Sequence, residues 1–210
     1  MMGGGRVGDP DRLPDAATMT ALPTARGMAL LGPLKQLRAQ FGADAVAAAL
    51  PTWGPELAAA CATRLNKTDW YPYVAFVQLL EGAEREFGTG DFSLVSSLGE
   101  AAARTDLSGG AFSILRVLAS PRHLIGSCER VWPRYYDHAG RMIAIAREPE
   151  ETVLRILDFP TMARSHCRMM EGWMISAMAQ LGAKVLPGGR ETACVRDGAP
   201  YHEFRCQWTT

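Results

Sequence analysis

The sequence predicts an α+β fold: an N-terminal helical layer packed on an antiparallel sheet, the sheet made of two hairpins flanking one long helix. Three observations carry this. Upstream of about residue 136, apolar residues recur at helical spacing in segments punctuated by Gly and Pro. From Met142 the period shifts to strand-like runs, interrupted by one long helical stretch. Those runs are joined by short turns, which suit antiparallel pairing, because parallel strands need long crossovers. At 210 residues the chain is long enough for one well-buried core and short for two.

Residues 1–25 are rich in Gly, Pro, Asp and Thr and read as a disordered tail, leaving 26–210 as a single domain. Arg26-Gly27 opens the first helix, with Met28, Leu30, Leu31, Leu34, Leu37 and Phe41 at helical spacing and Gly42 as its stop. A short helix follows over about 44–50, ended by Pro51, and Pro55 starts a third in the first-turn position where its missing N–H does no harm. Thr68 or Asp69 is placed to cap the next helix, with Pro72 in its first turn and Phe87-Gly88 at its end. Asp91 caps a helix over 92–105, and Gly109-Gly110 breaks it. Phe112, Leu115 and Leu118 predict a short helix to Ala119. Ser120-Pro121 opens another, running to Tyr135-Tyr136 with a kink at Pro133.

Met142-Ile-Ala-Ile-Ala and Thr152-Val-Leu-Arg-Ile-Leu then form a hairpin around the charged loop Glu148-Pro-Glu-Glu. The longest helix covers roughly 161–182 and carries a methionine stripe at 169, 170, 174 and 178. Val185 begins a third strand region, and 191–195 with 201–208 form the last hairpin.

Composition narrows the function. The 22 basic and 22 acidic residues cancel and no basic run exists, which argues against a nucleic-acid binder. No stretch of eighteen apolar residues predicts a membrane span, and no apolar signal-peptide core follows the N-terminus. Five cysteines without secretion signals point to reduced thiols and a cytoplasmic setting. No Gly-x-Ser-x-Gly, phosphate-cradling Gly-rich loop or His-Glu-x-x-His occurs, so no enzyme activity is expected.

The chemistry concentrates at the C-terminal end. Strand alternation puts His202, Phe204, Cys206 and Trp208 on one face. Cys194 and His202 are symmetric about the turn residue Gly198, so a hairpin centred there sets them directly opposite each other, close enough for one metal ion to bridge. Glu191 has the opposite strand parity from Cys194 and joins only through a bulge or if the strand starts after it. Cys167, on the long helix, is the remaining candidate. The alternative is that these are ordinary core thiols and a hydrogen-bonded imidazole.

The order of a helix bearing Cys167 and Gly172-Trp173, then Glu191-x-x-Cys194, a glycine turn and a closing strand resembles the 4-vinyl-reductase-like domain. It resembles in particular the sensory domains of phenol- and xylene-responsive bacterial activators. The resemblance covers roughly 26–208 and implies a zinc ion held by Cys167, Glu191, Cys194 and His202, with His202 standing where the family has a cysteine. It also implies a frequently dimeric protein that binds a small apolar or aromatic molecule between helices and sheet, with Trp70, Phe76, Phe112, His123, Trp132 and Tyr136 as pocket candidates. Distantly, the family is similar to heme–nitric-oxide sensors, whose Tyr-x-Ser-x-Arg motif is absent here, so heme ligation by His123, His138 or His166 is not expected. Three functions follow in order: a sensing or regulatory domain with structural zinc, acting on a partner protein as a homodimer; an adaptor of the same fold without a ligand; an accessory to tetrapyrrole or vinyl reduction.

Overall fold

The computed structural model describes residues 21–108, 128–147 and 150–209. The expected tail over 1–20, the helix over 112–119, the start of the helix at Ser120, and residues 148 and 149 of the hairpin loop lie outside them. The observed fold is α+β with antiparallel sheets.

Strand β1 (Thr24–Arg26) leads directly into α1 (Gly27–Phe41), followed by α2 (Ala43–Ala49) and α3 (Pro55–Cys61). Thr24 and Ala25, grouped with the tail on composition, are thus the first residues of a strand, and Ala25 is fully buried. Strand β2 (Trp70–Pro72) precedes α4 (Tyr73–Phe87). The helix therefore starts one residue after Pro72, later than its capping signals suggest. The reason is tertiary: residues 70–72 pair with β1, Ala25 facing Tyr71, and this holds them extended. Helix α5 (Ser93–Ser108) begins where the sequence places it, with Asp91 Oδ1 accepting the Ser93 N–H at 2.9 Å.

After α6 (Cys128–Val131), a 3₁₀ turn at Trp132–Arg134 realises the break expected at Pro133. Strand β3 (Tyr136–Asp137) adds to β1, completing a small sheet of order β2-β1-β3 that the sequence analysis did not foresee. Its strands are two or three residues long, too short for period-two alternation to be visible.

The larger sheet is built from β4 (Arg141–Arg147), β5 (Glu151–Leu157), β6 (Lys184–Val185), β7 (Arg190–Ala193) and β8 (His202–Thr209), with order β4-β5-β8-β6 and β7 also on β8. The two expected hairpins are present. Pairing of β5 with β8, Leu154 opposite Phe204, fuses them into one sheet. The long helix α7 (Arg164–Gln180) packs between this sheet and α5.

One core joins both layers. Leu30, Leu34, Leu37, Leu79, Leu80 and Phe76 from the helices meet Ile156, Phe204 and Trp208 from the sheet through Met170 and Met174 of α7. Each fully buried leucine contributes about 1.5–3 kcal/mol. Helices α5 and α7 approach so closely that a Cβ on Gly99 would stand 2.0 Å from the Met169 carbonyl oxygen, and one on Gly172 2.0 Å from that of Ser96. Only glycine fits at either crossing point.

Candidate functional site

Two sites stand at opposite sides of α7. The first is a cluster of four side chains. His202 Nδ1 lies 3.3 Å from Cys167 Sγ, 3.5 Å from Cys194 Sγ and 3.3 Å from Glu191 Oε1. All four donor atoms fall within 4.8 Å of one another. Four ligands arranged tetrahedrally at bonds of about 2.0–2.3 Å stand roughly 3.3–3.8 Å apart, so the spacing suits one ion.

Local structure explains how they meet. The β7–β8 ladder pairs Ala193 with Glu203, so one step further Cys194 faces His202. A 3₁₀ turn at Val195–Asp197 and left-handed Gly198 (φ +88°) reverse the chain between them. Glu191 has the wrong parity in a regular strand, but the register shifts between Glu191 and Ala193. That bulge brings its carboxylate onto the cysteine face. Cys167 arrives from the first turns of α7, fully buried. Beside the cluster, Glu171 Oε1 accepts the Glu191 N–H at 2.6 Å and is itself held by Arg168.

Burial pushes both thiols up, Cys167 furthest, with the neighbouring Glu191 carboxylate adding to the effect. Burial also opposes ionisation of Glu191, yet hydrogen bonds from His202, Cys167 and Cys194 outweigh it and hold the carboxyl below its ordinary value. A cation is the group that would relieve this concentration of acids. A groove lined by Arg164, Arg168, Glu191, Cys194 and Asp197 opens the cluster to the outside. Cys206, on the same strand as His202, is buried in the core and is not part of the group.

The second site is an apolar cavity of about 330 Å³ between α1, α5 and α7. Met28, Leu31 and Gly32 form one wall, Ala102 and Asp106 another, and Met169, Met170 and Trp173 a third; Trp132, Tyr135, Tyr136 and Met142 close it. Asp106 is its one acidic lining group; its Oδ2 accepts the Trp173 Nε1–H at 3.0 Å and its carboxyl is also bonded by Tyr135.

Of the pocket residues expected from the sequence, Trp132 and Tyr136 line this cavity. Phe76 lies behind them in the core, fully buried against Tyr136, Tyr73 and His166. Trp70 is 39% exposed on β2, with the Arg26 guanidinium stacked on its ring. Phe112 and His123 lie outside the described residues. Sequence reasoning missed Gly32 and Asp106. Their signal was a glycine and an aspartate inside otherwise favourable helices, visible only once α1 and α5 face each other.

Between the two sites sits His166, with no exposed surface. The Tyr73 hydroxyl is hydrogen-bonded to His166 Nδ1 at 3.0 Å and accepts the Ala163 N–H at 3.1 Å. The rings of Trp132, Tyr136, Phe76, Tyr73 and Phe159 enclose the imidazole. Burial, with a smaller contribution from His202, depresses its pKa to about 3. Among the described residues, Nε2 of His166 and Nε2 of His202 have no hydrogen-bond partner.

No family profile and no curated protein matches the chain. Solved structures do. An H-NOX protein from S. oneidensis in the Fe(II) ligation state is similar over 88% of this chain and 96% of its own, with TM-score 0.70 and 12% identity. The unliganded Fe(II) H-NOX protein from K. algicida gives 0.65 at 12%, over 88% and 97%. An oxygen-binding H-NOX domain related to soluble guanylate cyclases, in its oxygen complex, gives 0.63 at 12%, over 88% and 95%.

These comparisons overturn zinc as the cofactor expected from the resemblance: the structures of this fold concern iron(II), and one of them probes heme distortion. The described residues of this chain do not in turn fit a heme. Among them no imidazole opens on the cavity: His138 is an exposed partner of Asp137, His166 is walled in by aromatic rings, and His202 belongs to the cysteine cluster. Burial raises the pKa of the cavity's phenols, Tyr135 and Tyr136, above the ordinary value and so disfavours their anionic form. The chain has the fold of these H-NOX structures.

Proposed function

We propose that this chain is a non-catalytic, small-molecule-binding regulatory domain that signals through a partner protein, as a homodimer. The observation that carries the reading is the cavity. A space of about 330 Å³ walled by methionines and aromatic rings, with one half-buried carboxylate at its side, has the size and chemistry of a small-ligand site. Unbranched methionine side chains adapt to the shape of an occupant. Support comes also from the fold, which in the similar structures houses Fe(II) and oxygen complexes.

In the same reading Cys167, Glu191, Cys194 and His202 hold a transition-metal ion that fastens the last hairpin to α7. Thiolate and imidazole ligands select borderline or soft ions, and four protein ligands leave no open position for catalysis. The meeting of Cys167 with Glu191-x-x-Cys194 supports the narrower kinship with 4-vinyl-reductase-like domains.

Thermal unfolding against a panel of small apolar and aromatic compounds tests the cavity. A ligand at a hundred times its Kd adds about 2.7 kcal/mol, or roughly 5–10 °C for a domain of this size. Gly32→Phe is the control. Gly32 lines the cavity and an added Cβ there meets nothing within 4 Å, so the backbone tolerates a ring placed to fill the opening. Shifts in the wild type that vanish in Gly32→Phe are expected; no shift across the panel would sink the reading. For the metal, titration with Co²⁺ should give thiolate charge-transfer absorption that Cys194→Ser weakens and Cys206→Ser leaves unchanged. Equal spectra in all three proteins would remove the cluster as the site.

A further inference from the structure

The cavity is apolar inside and basic at its edge. Lys35, on the exposed face of α1, and Lys67, in the connection before β2, are both solvent-exposed and both contribute to its lining. Neither is in an ion pair among the described residues, although Arg104, Arg141, Arg155, Arg164, Arg168 and Arg205 all are. Lys67 is fixed relative to the cavity because its carbonyl accepts the N–H of Met28, a wall residue, at 3.0 Å. The one acidic group of the lining, Asp106, is on α5 and is turned to its own donors, Trp173 and Tyr135. Among the described residues it makes no ion pair with either lysine.

Resting on the cavity reading above, we infer that the ligand is a free, single-chain anionic amphiphile, a medium-chain carboxylate whose alkyl body fills the methionine-lined space and whose head pairs with Lys35 and Lys67. A neutral apolar molecule would gain nothing from the two ammonium groups beside the opening. A cation would be repelled by them. A carboxylate accepts hydrogen bonds from both, and charge-assisted bonds of this kind are stronger than neutral ones. Lysine at a cavity edge can lay its alkyl stem along apolar surface while its head stays in water. The volume, at the lower end for ligand sites, selects a short chain over a long one.

Binding of decanoate, decanol and decylamine at pH 8, below their aggregation concentrations, tests this. Trp132 and Trp173 line the cavity and supply the fluorescence readout. Expected is binding of decanoate about five- to tenfold tighter than decanol, the combined effect of two partly exposed ion pairs, with the difference shrinking as salt is raised. Lys35→Gln with Lys67→Gln should bring decanoate to the level of decanol, and Gly32→Phe should abolish binding of both. Decanol binding as tightly as decanoate, or decylamine binding more tightly, overturns the carboxylate while leaving the cavity reading intact. Failure of all three to bind overturns the amphiphile, and only a negative result across the wider apolar panel sinks the cavity reading with it. Equal cosedimentation of wild type and Gly32→Phe with phosphatidylglycerol vesicles would assign the lysines to a lipid surface, and that also overturns the inference.

Discussion

The indole of Trp132 and the imidazole of His166 lie parallel, 7° apart in plane and 5.8 Å between centroids, joining the cavity wall to the residue beside Cys167. Trp132 is anchored by its own Nε1–H, which donates to the Ala139 carbonyl at 3.0 Å. Trp132 thereby packs the cavity wall onto α7 at the residue next to Cys167. Trp132→Ala removes both the stacking partner and the anchor. It should destabilise the protein by about 3–5 kcal/mol in urea unfolding, as large-to-small aromatic changes in cores do. A loss below about 1 kcal/mol would mean this contact is loosely packed.

Tyr73 is the hinge pin of the same region. Its hydroxyl serves two buried groups at once, the His166 imidazole and the Ala163 N–H at the start of α7. Tyr73→Phe keeps the ring and leaves both without a partner. The expected cost is about 1–3 kcal/mol, that of stranding buried polar groups. No measurable change in the denaturation midpoint would contradict the hydrogen-bonding role.

The contact of α5 with α7 depends on two missing side chains. Gly99→Ala and Gly172→Ala would each gain about 1 kcal/mol in helix propensity on an isolated helix. Here each methyl would meet a backbone carbonyl oxygen at 2.0 Å, which backbone movement alone can relieve. Both substitutions should therefore destabilise, by about 2 kcal/mol or more, and the double variant should not be rescued. A stabilised Gly99→Ala protein would rule out the close crossing.

Acid stability should carry the signature of Glu203. Burial pushes its carboxyl up, but hydrogen bonds from Arg155, Arg205 and Thr192 outweigh that and bring it to about 2, against an ordinary 4.5. A carboxyl lowered in the folded state contributes stability above pH 4.5, and loses it as pH falls towards 2. Glu203→Gln should cost about 1–3 kcal/mol at pH 7 and flatten the pH dependence over that window. An unchanged acid limb in urea titrations would show that other carboxylates dominate it.

Much of this architecture was legible in the chain itself. Helical and strand periods located α1 to α5, both hairpins and the long helix. The break at Pro133 and the turn at Gly198 followed from local backbone chemistry. Parity alone placed Cys194 opposite His202, because a side-chain repeat of two leaves no choice once the turn is centred. What the sequence could not decide was anything that depends on which surfaces meet. The small β2-β1-β3 sheet has strands too short to show a pattern, and its pairing moved the start of α4. The bulge that turns Glu191 inward is a register event between strands. The cavity exists because α1, α5 and α7 leave a gap at Gly32 and Ala102, while Phe76, equally apolar in sequence, fell behind its wall. The cofactor expectation failed for the same reason. Four ligands in the right order describe a cluster, but the fold's likeness led to structures concerned with iron and heme, and neither group is encoded in local spacing. Local periodicity is a property of successive residues and is written in the chain. Cavities, crossings and ligand sets are properties of non-local packing, and only the folded structure decides them.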